Sequence, residues 1–150
     1  FVYDENLPEQ AARLGFNGTM EFPPHGVRFE NAKIKNIKTP NKKFNGLIVD
    51  MHKVIEKKLY ETNAKFKCVF PSWDNSPRKA YTGCFVMQTG IDDYKTWLKN
   101  SIEETQKNSQ SERYVFINAW NEWAEGAHLE PDIHNGYAYL QATIDVLKEM

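Results

Sequence analysis

The chain has 150 residues, 41% of them apolar and 26% charged, with a formal net charge of -1. That length holds one domain with a real core, and the composition excludes a disordered chain. The near-neutral charge gives no reason to expect nucleic acid or an anionic membrane as the main partner. No run reaches the roughly 18 apolar residues a transmembrane segment requires, so the expected location is cytoplasmic, with any membrane association arising through a parent protein. Phe1 stands where an initiator Met would, and no signal peptide is evident, so the sequence is expected to be cut from a longer chain. Cys68 and Cys84 are the only cysteines, each inside an apolar run ("KCVF", "GCFVM"). Such thiols are expected to be buried and free, and the spacing supports neither a zinc site nor a disulfide scaffold. No metal or cofactor is expected.

In chain order, the first element reads as a helix. Asn6 with Glu9 has capping-box logic, Leu7, Ala11 and Leu14 share a face, and Gly15 suits the C-terminal stop. "FNGTMEF" reads as a short strand ending at Phe22, closed by Pro23 and Pro24, which cannot donate to a ladder. Residues 24–46 show no periodicity and carry Arg28, Lys33, Lys35, Lys38, Lys42 and Lys43 against the single acid Glu30. A solvated loop is the plain reading, a cover over an anionic ligand the sharper one. Asp50 can cap a helix with Met51, Val54, Ile55 and Leu59 on one side. "KFKCVF" is a second strand, stopped by Pro71 and followed by the loop "SWDNSPR". "GCFVMQ" is a weaker strand. Asp92 then opens a helix whose Tyr94, Trp97, Leu98, Ile102 and Thr105 form a buried stripe, which makes Trp97 a core residue. "RYVFIN" is the clearest strand. A last helix begins near Gly136, with Tyr137, Leu140, Ile144 and Leu147 facing inward.

Near-continuously apolar strands alternating with amphipathic helices predict an α/β fold, a parallel sheet covered by helices. The polar loops "EFPPHG", "VFPSWDNSPR" and "FINAWNEWAEG" all follow strands, where ligands gather in such folds. A complete (β/α)8 barrel usually needs about 250 residues, so a chain of this length would be part of one.

The chemistry concentrates in "FINAWNEWAEGAHLEPD". Glu122 and Glu125 are three apart, so one helical turn would place them on one face, close enough for one to stay protonated while the other ionises. Trp120 and Trp123 offer flat faces for the C–H side of a sugar ring. Asn118, Asn121, His128 and Glu130 offer directional hydrogen bonds for hydroxyls. Trp73, Asp74, Asn75 and Arg78 form a second substrate-facing loop, and His25 in "EFPPHG" is a further candidate contact. The plain alternatives are glutamates that cap or are solvated, and an Asp74–Arg78 pair that caps a strand. Glu-x-x-Glu with His128 nearby could bind a divalent ion, but no Asp-rich calcium loop or HExxH accompanies it.

"FINAWNEWAEGAHLEPD" with "GYAYLQA", together with "GFNGTMEFPPHG" and "VFPSWDNSPR", resembles the WbsX-type glycosyltransferase family of bacterial surface-polysaccharide and lipopolysaccharide biosynthesis. The fold of that family is similar to the catalytic barrel of endo-alpha-1,2-mannosidases. The resemblance implies the C-terminal part of a (β/α)8, TIM-like barrel acting on glycans by transfer or hydrolysis. It also implies a sugar donor or glycan as partner, and either the remainder of the barrel or self-association to cover the open sheet. Glu122 would correspond to the glutamate proposed to deprotonate the sugar 2-hydroxyl, giving a bridged anhydro-sugar, and Glu125 to the general acid and base. Ala124 departs from the mannosidase pattern, which has histidine there. A non-catalytic glycan-binding module is the rival reading.

Overall fold

The computed structural model describes residues 7–34, 42–79 and 82–150. Helix α1 (Leu7–Arg13) ends in a Schellman motif: Gly15, at φ 83°, donates to Ala12 O, and Phe16 N donates to Ala11 O at 2.9 Å. Glycine meets that left-handed requirement without a Cβ clash. The expected cap Asn6 lies outside the described residues. Ala11 is buried but Leu14 is exposed, so the expected apolar face does not extend to the last turn. "FNGTMEF" is reduced to one parallel bridge, Met20 to Phe66.

Where no periodicity was visible, a single 3-10 turn (Glu30–Ala32) leads to an antiparallel bridge from Lys33 to Val49. Residues 35–41 of that stretch are outside the description. Strand β1 (Asn45–Asp50) follows and is a correction to the sequence reading, which saw only a loop up to residue 46. It lies parallel to β4 (Thr82–Gln88), Val49 opposite Met87. Gly46 permits this pairing, since a Cβ there would meet the Cβ and carbonyl of Cys84 at 2.7 Å.

Asp50 caps α2 (Met51–Glu56) as expected, its side chain accepting from Lys53 N at 3.3 Å, and Met51, Val54 and Ile55 turn into the core. β2 (Lys67–Val69) pairs parallel with β5 (Val115–Ile117). A second correction concerns "SWDNSPR". Its start is β3 (Ser72–Asp74), which runs antiparallel to β4 with Trp73 opposite Met87. The architecture is therefore mixed α/β, with parallel pairs and one antiparallel edge. A short antiparallel hairpin, β6 (Asn121–Glu122) with β7 (Ala127–His128), completes the strands among the described residues.

Helix α3 (Ile91–Thr105) carries the expected stripe, with Tyr94, Trp97, Leu98 and Thr105 buried. Trp97 is fully enclosed, edge-on to Phe70 at 5.0 Å and tilted against Tyr60 at 5.3 Å, which makes it core. Cys68 and Cys84 are buried free thiols, and burial, with Glu21 nearby, pushes the Cys68 thiol up to about 12. Helix α4 (Ala138–Glu149) corrects the expected phase. It buries Ala142 and Val146 and packs Tyr139 and Leu140 against the core, leaving Tyr137, Ile144 and Leu147 exposed. Helix α4 lies against α3 through polar contacts. Tyr94 Oη and Thr143 Oγ1 meet at 2.9 Å, and Lys95 pairs with Asp145 at 2.8 Å.

Glu21 is a buried anchor beside β2. It accepts from Cys68 N at 3.1 Å, Lys67 Nζ at 3.1 Å and Thr62 Oγ1 at 2.7 Å. A carboxylate removed from water needs such donors. No helix among the described residues is long and apolar enough to cross a membrane.

Candidate functional site

The three loops singled out by sequence converge. They follow Met20, β2 and β5, and they frame an open cleft of about 500 Å3 to which His25, Trp73, Asn75, Arg78, Phe85 and Glu125 contribute. Asn118, just beyond β5, ties the loops together. Its backbone N–H donates to Val69 O at 2.8 Å and its side-chain amide to Pro23 O at 3.0 Å. Asn118, a candidate contact for sugar hydroxyls, thus also uses one amide N–H to hold the scaffold.

Glu125 closes the 3-10 turn Trp123–Glu125 between β6 and β7, and Gly126, at φ 61°, ends it. A four-residue connection with a left-handed glycine suits a tight hairpin. A Cβ on Gly126 would lie 3.1 Å from Asp74 N and 3.3 Å from Asp74 Cβ, so only glycine lets the turn settle against β3. Ser72 Oγ donates to Gly126 O and pins the contact. The turn delivers Glu125 to the cleft with its side chain 20% exposed, and Arg78, 50% exposed, donates to Glu125 Oε1. Arg78 thus pairs across the cleft with Glu125, not with Asp74 as the strand-cap alternative supposed. Asp74 Oδ1 instead accepts from Ser76 N at 2.8 Å, closing its own loop.

Asn75 is buried, with Oδ1 accepting from Phe85 N at 2.7 Å, and so it both lines the cleft and holds β3 to β4. Trp73 is also mostly buried and packs toward Phe70, and its enclosed Nε1 has no hydrogen-bond partner. His25 is exposed and parallel to the Phe22 ring, their centroids 6.1 Å apart.

Glu122 sits at the head of the same turn, exposed, at the end of β6, and it does not line this cleft. Trp120 and Asn121 are exposed as well, and Trp120 O accepts from Glu130 N at 2.9 Å. At the start of the turn, Trp123 stacks on His128 with ring centroids 3.8 Å apart and planes at 20°, and its Nε1 donates to Glu130 Oε2 at 2.7 Å. His128 Nε2 lies 3.2 Å from Asp132 Oδ2. An ionised carboxylate only accepts, so Nε2 carries the proton of this pair. The Asn135 side chain and backbone N–H, then His134 N–H and His128, hold the Asp132 carboxyl down at about 2. Sequence reading missed Phe85 and Lys79 in the cleft, which carry no local signal, and Asp132, which a D-x-H-N turn pattern could have revealed. Among the described residues no three His, Cys, Asp or Glu side chains converge as metal ligands.

A carboxylate, a guanidinium and an indole around one open cleft suit a polyhydroxylated ligand, the equipment of a carbohydrate-active protein. A family model described as "Glycosyltransferase WbsX" matches residues 1–143, and the chain belongs to that family. It is also similar to the "Uncharacterized protein WxcX" of two strains of Xanthomonas campestris pv. campestris. Identity is 36% over 138 residues in each, covering 89% of this chain. The chain spans 20% of the length of those relatives. No solved structure matches it.

Proposed function

We propose that this chain forms the carboxylate-bearing part of a WbsX-type, glycan-active domain serving bacterial surface-polysaccharide or lipopolysaccharide biosynthesis. Glu125 is the general acid and base, and Arg78 positions it. The observation that carries this reading is Glu125 set at the cleft by a glycine-terminated turn, with Arg78 donating to one oxygen. A sugar hydroxyl or glycosidic oxygen entering the cleft would meet a carboxyl held by packing, and such positioning is where acid/base catalysis draws its advantage. Asn75 is fixed by β4, and the Trp73 wall keeps water from one side. Glu122 would act on the sugar 2-hydroxyl by the resemblance to endo-mannosidases. For that, a bound sugar must bridge from the cleft to the exposed end of β6. The parallel pairings β1–β4 and β2–β5, and the convergence of loops that follow strands, support a barrel segment of the (β/α)8 kind.

The exposure of Glu122 outside the cleft favours the rival, a glycan-binding module without turnover. The two readings separate in the full-length protein. Glu125→Gln and Glu122→Gln should each lower turnover by about 10²–10⁴ while leaving the fold intact. Near-normal turnover in both variants selects the binding module. Product analysis, a new glycosidic linkage against a released reducing sugar, separates transfer from hydrolysis.

A further inference from the structure

At the Trp123 end of the Trp123–Glu125 turn lies a second hollow, of about 460 Å3, lined by Trp123, Pro131, Asp132, Ile133 and His134 and sharing no lining residue with the cleft. The indole of Trp123 is 49% exposed yet fixed at two points, stacked on His128 and hydrogen-bonded to Glu130. An exposed tryptophan left to itself samples rotamers, and holding one still while half of it faces water sacrifices entropy for only partial burial in return. The opposite wall is equally fixed. Asp132 pairs with His128 and accepts from His134 N–H and Asn135 N–H, so the His128 ring on which the indole stacks is tied through Asp132 to the turn that carries His134. The result is a hollow lined by a fixed indole and by His134, with Pro131 and the fully exposed Ile133 beside them.

We infer that this hollow is a second sugar subsite, in which a pyranose stacks its C–H face on Trp123 and hydrogen-bonds to His134. A preformed platform of this kind lowers the ordering cost of binding a flexible glycan. Its position sets its role: Trp123 and Glu125 are the two ends of one turn, so a glycan chain held at Glu125 can continue over the turn onto Trp123. The subsite therefore reads glycan length rather than the sugar at the reacting bond. This inference rests on the glycan-active reading of the Glu125 cleft.

The test uses the full-length protein carrying Glu125→Gln, so that bound glycans stay intact, on a printed array of bacterial surface glycans two to six sugars long. Adding Trp123→Ala or His134→Ala should weaken binding by about tenfold or more for the longer glycans, and by far less for disaccharides. Trp123→Phe, which keeps a ring on His128 but loses the Glu130 hydrogen bond, should fall between. His134 is exposed and lies outside the core, so its variant keeps the test valid where Trp123→Ala does not fold. Glycan binding that neither Trp123→Phe nor His134→Ala changes, or that both weaken equally at every length, overturns the subsite and leaves the Glu125 reading standing. A protein that binds no glycan and, with Glu125 restored, shows no turnover refutes both.

Discussion

Replacing Gly126 with Ala probes the joint on which the site depends. Two costs are visible. Gly126 has φ 61°, and an L-residue held in the left-handed region costs about 1–2 kcal/mol. The new Cβ would also lie 3.1 Å from Asp74 N and 3.3 Å from its carbonyl oxygen. That backbone cannot retreat easily, because β3 is laddered to β4 and Ser72 donates to Gly126 O. Overpacking against a fixed neighbour typically costs about 1–3 kcal/mol. Together these give about 3 kcal/mol, which for a domain of this size lowers Tm by roughly 6–12 °C. Gly15→Ala is the internal control. Gly15 has φ 83° and nothing within 4 Å of its ideal Cβ, so it incurs the conformational cost alone, about 1–2 kcal/mol. Urea titrations of both variants should rank Gly126→Ala clearly below Gly15→Ala. If Glu125 is the acid and base proposed above, turnover should also fall in Gly126→Ala, because Glu125 is the adjoining residue and small displacements at a reacting group are expensive in rate. Equal losses of stability in the two variants would refute the claim that close approach to β3 demands glycine at 126.

Lys67→Met leaves the Glu21 carboxylate buried without its cation and should destabilise by about 3–5 kcal/mol in urea titration, with Lys67→Met/Glu21→Gln recovering much of the loss; a double variant no better than the single one would show that packing, not charge, is at stake. For Asp132, the folded group is depressed to about 2 from an ordinary 3.8, so its contribution is fully present above 3.8 and is lost as pH falls through 2. Wild-type stability measured against Asp132→Asn should therefore lose its advantage over that acid window, and parallel stability curves for the two would count against the assigned hydrogen bonds.

Much of the local structure was legible because it depends on residues close in sequence. The Gly15 stop, the Asp50 cap and the α3 stripe each follow from spacings of a few residues, where backbone geometry decides. The position of the tryptophan-rich motif after an apolar strand was legible for the same reason. Elements that exist through their partners were not. β1 is held by β4, whose residues lie nearly forty positions further on, and β3 is extended because Ser72–Asp74 meets β4 from its other side. α4 contains two apolar stripes of similar period. The sequence favours the one with larger side chains, while packing in the core buries the one bearing Ala142 and Val146.

The site divides the same way. By itself, the sequence determined that the candidate residues gather in loops behind strands, since residue type and local spacing suffice for that. Only the tertiary structure decided their partners. Arg78 meets Glu125 from 47 residues away, Asn118 reaches Pro23 from 95, and Glu122 stays at the exposed head of the turn that carries Glu125 inward. Such pairings depend on how loops from different strands pack against one another, and that geometry is a property of the whole fold rather than of any stretch of chain.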